Sequence, residues 1–428
     1  MKKYFIFAAA AIVAASCAKT PAPVQTPDGP EAPAVEGKVA VQFGTNVKLP
    51  VETKSNGHVS QWSAQDLYVY GLQRIKPAGV VKNLYKTPFI SNVMAKAPEK
   101  NTPAVTSGAI NVYATGTEPF YYVGTNTYDF FGYYVDDAAS PITPVLSKVT
   151  QNAVTDSAYV LPILINGGQD IMLAKADTAY AARKAFGENL ERKPAGWKSG
   201  YAFSAYAARR EVHPILQFEH QLAQLVFKVE SGTDFSTSPQ LYVDKVAVNK
   251  VNTKANLYIA SVEIPQGLYD FEAASGDDMN KDVLWVKQAP TSEQTGLQEL
   301  QKVAVPSKNA DPKAIAIGEP LMLFPEASYE IALTLSQAGV TQDVEPLVRT
   351  INIADVKVLI QDPSGKNPGD PDYTPTYDAT SQSKFEAGYS YVITIKVYGL
   401  ESVDITAELA PWKEGGKIDI DTDEAPEF

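Results

Sequence analysis

The chain has 428 residues, a formal net charge of −12 and a single cysteine. An acidic chain without a basic cluster excludes proteins that bind nucleic acid or anionic lipid through positively charged surfaces. One cysteine excludes an internal disulfide. After the first sixteen residues no apolar run approaches the length of a membrane-spanning helix, so we expect no transmembrane segment.

The N-terminus has the features of an export signal. Met1-Lys2-Lys3 is positively charged, and an apolar run over 5–15 is too short to span a bilayer. The run ends in Ala14-Ala15-Ser16-Cys17, which resembles the lipobox of bacterial lipoproteins. We therefore predict a lipoprotein signal peptide over 1–17 with lipidation at Cys17; the alternative is an ordinary secretory signal followed by a chance cysteine.

The remaining sequence predicts a tether and two domains. Residues 18–36 are rich in proline and poor in large apolar groups, which indicates a disordered tether. The rest is longer than one hydrophobic core normally serves. We predict an N-terminal domain over 37–232 and a C-terminal domain over 233–428.

Alternation of apolar and polar residues recurs along the chain and is typical of half-buried strands. It predicts strands at Val39–Phe43, Asp66–Tyr70, Tyr121–Val123, Tyr128–Val135, Ile215–Val229, Leu241–Val248, Leu257–Ile264, Val283–Val286, Leu321–Phe324, Tyr329–Leu335 and Ile351–Ile360. Residues 170–177 fit a helix or a strand, and 179–210 is the best candidate for a short helix. The pattern predicts an all-β fold built of sandwiches.

The C-terminal residues form two further predicted strands and a tail. The strands are 388–400 and Val403–Leu409, and the second carries Val403, Ile405 and Leu409 on one face. After Trp412, Gly415-Gly416 forms a flexible joint, and Ile418 and Ile420 then alternate with charged residues. Such a tail is able to pair with its own molecule or with a neighbour.

Six segments, taken in order, resemble the fimbrillin family, the subunits of type V pili in anaerobic Gram-negative bacteria. They are Trp62 with Asp66-Leu-Tyr-Val-Tyr, Asp170-Ile-Met-Leu-Ala, Phe218-Glu-His-Gln-Leu-Ala, Pro320-Leu-Met-Leu-Phe-Pro, Gly388-Tyr-Ser-Tyr-Val-Ile-Thr-Ile and Pro411-Trp412. The resemblance implies two transthyretin-like β-sandwich domains in tandem. It also implies export as a lipoprotein, removal of the first strand by a protease, and polymerisation by donor-strand exchange.

Two cleavage sites remain open. The strand to be removed is Val39–Phe43, and the polar loop after it contains Lys54 at the position where the family has an arginine. Because the family's protease is arginine-specific, Arg74, the first arginine of the chain, is the second candidate. Loop tips with small polar residues are preferred sites of proteolysis.

Two donor segments also remain open. One is Val403–Leu409, through Val403, Ile405 and Leu409, and its alternative role is the last strand of the chain's own domain. The other is the tail with Ile418 and Ile420.

Patterns for catalysis or cofactor binding are lacking in the sequence. His58, His213 and His220 are scattered, and we expect His220 to be a packed, hydrogen-bonded core residue. The acidic residues Asp136-Asp137 and the pair Asp370 and Asp372 are expected to be solvated loop charges. The aromatic run 121–134 fits either a sandwich core or a sugar-stacking surface. We expect no enzyme activity, no cofactor and no metal.

The sequence therefore predicts a structural pilus subunit serving adhesion, located at the outer membrane and in the fimbrium. Its expected partners are other pilus subunits, a processing protease, membrane lipid through the acyl anchor, and a host or bacterial surface ligand. The alternative is a monomeric, surface-anchored carbohydrate-binding lipoprotein.

Overall fold

The structure is a computed structural model of the full chain. It describes residues 39–47, 64–74, 88–97, 107–123, 126–136, 143–177, 203–209, 212–233, 239–261, 263–269, 281–290, 296–340, 345–360 and 376–409. These residues form strands with one short helical turn, α1 (Ala205–Ala208), and one 3₁₀ turn, Ile353–Asp355. The prediction of an all-β fold is confirmed.

Strands β1 to β11 precede residue 221. They are β1 (Phe43–Val47), β2 (Asp66–Arg74), β3 (Ile90–Lys96), β4 (Ser107–Ile110), β5 (Tyr113–Thr115), β6 (Glu118–Pro119), β7 (Thr127–Val135), β8 (Val145–Gln151), β9 (Val154–Leu164), β10 (Ile171–Lys175) and β11 (Ile215–His220).

Strands β12 to β27 follow. They are β12 (Ala223–Ser231), β13 (Leu241–Asn252), β14 (Lys254–Ala260), β15 (Gly267–Tyr269), β16 (Lys281–Trp285), β17 (Lys287–Gln288), β18 (Gln298–Glu299), β19 (Val303–Ala304), β20 (Ala314–Ala316), β21 (Leu321–Leu323), β22 (Ser328–Gln337), β23 (Leu347–Asn352), β24 (Val356–Ile360), β25 (Thr376–Ala379), β26 (Ser390–Val397) and β27 (Val403–Leu409).

The longer strands form four sheets. Sheet A has the order β3-β2-β7-β10-β11-β1-β4, and sheet B has the order β20-β12-β26-β27-β24-β25, with β21 also on β12. Sheet C has the order β16-β13-β22-β23, with β19 on β13, and sheet D has the order β15-β14-β9-β8. Sheet D therefore joins strands from before and after residue 221.

Sheet A is buried on both faces. In its interior strand β7, every residue from Thr127 to Tyr134 is buried. One face carries Phe131 and Tyr133 into a core shared with sheets B, C and D. The other face carries Tyr128 and Phe130 into a second core. Period-two alternation thus points apolar groups into both cores.

The prediction of one continuous strand over 215–229 is wrong. The chain forms β11, leaves sheet A at Gln221-Leu222, and continues as β12 in sheet B. Gln221 N donates to Ile171 O in sheet A at 2.8 Å, whereas Leu222 O accepts from Gly388 N beside sheet B. Two adjoining cores produce the same uninterrupted apolar pattern as one strand that is buried on both faces.

Three other predictions need smaller corrections. The segment 351–360 is two strands joined by the 3₁₀ turn, because Ile353 and Val356 are buried where the chain bends. The first strand begins at Phe43, and residues before it make a single bridge from Ala40 to Tyr121. Residues 171–175 form a strand, which decides between the two alternatives for 170–177.

The prediction of two transthyretin-like sandwiches with a boundary between 232 and 233 stays a prediction. The change from sheet A to sheet B occurs at 221–222, before that position.

The packing of β7 against β11 generates the first prediction. A Cβ added at Gly132 would lie 2.8 Å from Phe218 Cζ and 3.3 Å from Leu216 Cδ1, and both side chains are fully buried. We expect Gly132→Ala to lower the free energy of unfolding by about 1–3 kcal/mol through overpacking.

Urea denaturation measures this effect, and Gly44→Ala in β1 is the matched control. Its Cβ would lie 3.4 Å from Ile215, at ordinary contact distance, so we expect little or no loss of stability. Equal destabilisation by the two substitutions would contradict the packing argument.

Candidate functional site

The N-terminal strand β1 lies between β11 and β4 and forms backbone hydrogen bonds with both. β1 pairs in parallel with β11, from Gly44 opposite Ile215 to Val47 opposite Phe218. It pairs antiparallel with β4, with Phe43 opposite Ile110. A strand between two neighbours satisfies both rows of its backbone groups, and the adjacent edge of β11 is satisfied at the same time.

The residues before β1 add backbone contacts to a loop segment. Val41 N donates to Phe120 O at 2.8 Å, and Tyr122 N donates to Val39 O at 2.9 Å. Backbone hydrogen bonds therefore hold the segment from Val39 to Val47 at both of its ends.

Alternate side chains of this segment enter the second core. Val41, Phe43 and Thr45 are 3%, 1% and 2% exposed. The Phe43 ring meets the Phe130 ring edge-on, with centroids 5.0 Å apart. Burying a side chain such as Val41 or Phe43 contributes about 1.5–3 kcal/mol. Removal of the segment would expose an apolar floor together with the unpaired edge of β11.

Tyr122 forms part of the wall beside this floor. Its ring lies edge-on to Tyr128 at 5.4 Å. Burial, with a smaller contribution from Tyr128, raises the pKa of the Tyr122 phenol far above its usual range. The phenol is therefore neutral at any physiological pH, as its apolar surroundings require.

Arg74 lies at the end of a paired strand. In the ladder between β2 and β7 it stands opposite Thr127. Its Nε donates to Asp129 Oδ2 at 2.5 Å and its Nη2 donates to Asp129 Oδ1 at 2.8 Å. The Asp129 side chain is 2% exposed. A bidentate contact to a buried carboxylate fixes both side chains.

The first donor candidate is paired within the chain. β27 pairs antiparallel with β26 along its length and in parallel with β24 from Ala407 to Leu409. Val403 is buried, whereas Ile405 and Leu409 are partly buried and packed against the large core. The structure thus places Val403–Leu409 in the alternative position, as a strand of the chain's own sheet B.

Several predicted site residues lie outside the described residues. These are Cys17, Lys54, Ile418 and Ile420, with His58, Asp137, Asp370 and Asp372 among the other residues considered.

The remaining candidates have structural roles. His220 Nδ1 lies 2.9 Å from Asp170 Oδ1, and both side chains are buried, as we expected for His220. The aromatic run contributes buried residues, including Tyr122, Tyr128 and Tyr133, and therefore serves as core. Among the described residues, no group of three or more His, Cys, Asp or Glu is arranged to hold a metal ion.

Sequence reasoning missed Thr45. Gly44-Thr45-Asn46 has the composition of a loop, but the structure continues the strand through it and buries Thr45, whose Oγ1 donates to Leu216 O at 3.4 Å. The alternation of Val41, Phe43, Thr45 and Val47 in the sequence was the signal for this extension. In the part of the chain that the structure describes, no helix has the length and apolar character needed to cross a bilayer.

Comparison with known proteins points to one family. Residues 201–412 match a family model described as fimbrillin-like. A solved fimbrial protein from Bacteroides vulgatus is 12% identical, with 88% of this chain and 100% of that chain covered and a TM-score of 0.40. The tip fimbrial protein Mfa3 from Porphyromonas gingivalis, with C-terminal truncation, is 10% identical over 86% and 99%, with a TM-score of 0.28.

No curated protein matches the chain. Because the TM-scores are below 0.5, the assignment rests on the family model.

The contrast between two ion pairs generates the second prediction. Arg74→Ala leaves the buried Asp129 carboxylate without its bidentate partner, and we expect a loss of about 3–5 kcal/mol in the free energy of unfolding. Lys96→Ala removes an exposed pair with Asp66 and should cost at most about 1 kcal/mol.

Chemical denaturation of both variants checks this. If both variants lose a similarly small amount of unfolding free energy, the Arg74–Asp129 ion pair does not stabilise the contact between β2 and β7.

Proposed function

Residues 201–412 match the fimbrillin-like family model, and on that premise we propose that the chain is a structural subunit of a surface fimbrium that serves adhesion. We propose that it is exported as a lipoprotein, trimmed by a protease, and polymerised by donor-strand exchange. The observation that carries the proposal is the insertion of β1 between β11 and β4. The role is structural and not enzymatic.

Removal of β1 creates an acceptor for a new strand. The vacated position would present the outer edge of β11, whose inner edge stays paired to β10. Beneath it would lie the floor that receives Val41 and Phe43. Addition of an extended segment to an exposed sheet edge restores backbone hydrogen bonds and fills side-chain pockets at alternate positions.

The structure supports cleavage at Lys54 over cleavage at Arg74. Lys54 lies in the connection between β1 and β2, so a cut there frees the first strand alone. A cut at Arg74 would also detach β2 from its place between β3 and β7. It would require the protease to open the ladder at Thr127 and to displace the guanidinium from Asp129.

The tail matches the strand that it would replace. The residues of the segment Val39–Val47 that enter the core are Val41, Phe43 and Thr45, with one residue between each. The tail reads Ile418, Ile420 and Thr422 with the same spacing. A donor in this register would place two apolar side chains on the vacated floor and a threonine hydroxyl near the carbonyl of Leu216.

The other donor candidate would be costly to release. Val403–Leu409 pairs with β26 along its length and with β24 at 407–409, and Val403 and Ala407 are buried there. Its transfer to a neighbour would open the chain's own core. The nine residue-to-residue steps from Leu409 to Ile418 span up to ~30 Å when extended, which allows the tail to reach another molecule while β27 stays in place.

Anchoring by lipid completes the proposal. Acylation of Cys17 would hold the precursor at the outer membrane, because several acyl chains together bind a bilayer at about 0.8 kcal/mol per buried methylene. Cleavage after Lys54 would separate the anchor from the body, leaving assembly to hold the subunit at the cell surface.

Trimming generates the third prediction. Precursor treated with a trypsin-like protease should give an SDS-resistant ladder of multimers. The double variant Lys48→Ala and Lys54→Ala, which removes both lysines between β1 and β2, should abolish the ladder because the first strand stays attached. Lys48→Ala, in the same connection, is the matched control and should assemble normally.

N-terminal sequencing of the assembled chains identifies the cut. Chains that begin after Arg74, or assembly of untrimmed chains, would refute cleavage at Lys54.

The tail generates the fourth prediction. The double variant Ile418→Asp and Ile420→Asp should be trimmed normally but remain monomeric, since charges cannot occupy the apolar floor. The control Asp419→Ser and Asp421→Ser changes the opposite face of the tail and should polymerise.

Sedimentation velocity separates the two results, and urea unfolding of the monomers shows whether the fold is unchanged. Fibres formed by the Ile418 and Ile420 double variant would exclude this tail as donor.

A further inference from the structure

The outer face of sheet C carries an apolar row that runs across its four strands. Trp285 on β16 stands opposite Ala247 on β13, Ala247 opposite Ala332 on β22, and Ala332 opposite Val348 on β23. Trp285 and Val348 are 46% and 43% exposed, whereas Ala247 and Ala332 between them are buried. The inward-facing neighbours, including Val246, Val248 and Leu333, belong to the large core.

Hydrogen-bonding side chains flank this row on both sides. On one side Lys245 stands opposite Thr334. On the other side Glu330 stands between Asn249 and Thr350. The face is thus an apolar strip between two polar rows, with exposed or half-exposed ammonium, hydroxyl, amide and carboxylate groups.

The polar groups are already oriented. Asn249 Nδ2 donates to Glu330 Oε1 at 3.1 Å, and Lys250 Nζ lies 3.0 Å from Glu330 Oε2. Hydrogen bonds from Lys250 and Asn249 hold the pKa of the Glu330 carboxyl below its usual range. Lys245 Nζ lies 5.6 Å from the centroid of the Trp285 ring, which restrains the indole.

The size of the face indicates its ligand. Four strands at ~4.8 Å spacing separate Trp285 from Val348 by ~14 Å, and three rows extend ~14 Å along the strands. The resulting area of ~200 Å² is about a quarter of the ~800 Å² that each partner buries in a stable protein interface. It suits a short oligosaccharide better than a second copy of the chain.

The chemistry points to the same ligand. The backbone groups of the two inner strands, β13 and β22, are paired within the sheet, so a ligand that lies above them must be recognised by side chains. A hexopyranose offers an apolar C–H face that can stack on an indole, and hydroxyls around its rim that can bond to the flanking rows. The Lys250–Glu330 pair is neutral overall and Lys245 is engaged by the indole, which favours an uncharged sugar.

We propose that the outer face of sheet C, centred on Trp285, binds a neutral oligosaccharide of hexopyranose units. The site lies on a different sheet from β1, and its ligand binding does not depend on polymerisation. A shallow site of this kind binds weakly on its own. Repetition along a fibre would raise the avidity by linking many copies.

The fifth prediction tests the site with defined probes. Maltotriose, cellotriose, triacetylchitotriose and mannotriose are each mixed with the full chain at about 10 mM, which suits a weak site. Saturation-transfer difference NMR should detect at least one of them. Trp285→Ala should weaken that interaction at least about tenfold, the loss expected when a stacked ring goes unreplaced.

Two further variants sharpen the result. Tyr113→Ala removes an aromatic side chain of comparable exposure from the β5–β6 hairpin and should leave binding unchanged. Val348→Asp alters the far end of the row and should weaken the trisaccharide more than the corresponding methyl monosaccharide. Circular dichroism and urea unfolding confirm that each variant is folded.

Three outcomes would overturn the proposal. They are no signal from any probe, equal binding by wild type and both row variants, and a change of sedimentation coefficient in Trp285→Ala that shows the face to be covered by a second copy. None of these results bears on trimming at Lys54 or on the tail.

Discussion

The backbone N–H and C=O groups along the outer edge of β11 require a partner strand, and β1 provides it. β11 carries Leu216 and Phe218 into the second core, so its backbone lies in apolar surroundings. An unpaired N–H or C=O group in such a place costs about 1–3 kcal/mol. β1 supplies the partners, and Val41 and Phe43 close the core beneath it. Loss of β1 without replacement would therefore destabilise the sheet that it completes.

The C-terminal sheets are constrained differently. β26 runs between β12 and β27, and its Tyr391, Ile393, Ile395 and Val397 are all fully buried. β27 in turn is covered by β24. Sheet B is thus built without β1. This asymmetry is what a subunit needs if it is to exchange one strand and keep its fold.

The surfaces proposed for assembly and for ligand binding are separate. The position of β1 lies in sheet A, whereas Trp285 lies at the edge of sheet C, on the face turned away from the large core. The second core, which borders the position of β1, contains none of the residues in the row from Trp285 to Val348. Assembly and adhesion would then be independent properties of one molecule.

The sequence by itself determined the local structure wherever alternation was regular. The strands Tyr391–Val397 and Val403–Leu409 follow from period-two patterning, because each face of the strand meets one kind of environment. The strand Tyr128–Val135 follows from its aromatic composition, since it is buried on both faces. Only the tertiary structure decided which core each face meets. It broke 215–229 between two sheets, paired Arg74 with a carboxylate 55 residues away, and left Trp285 exposed. These outcomes depend on contacts between distant segments, and alternation along one strand carries no information about the partner across it.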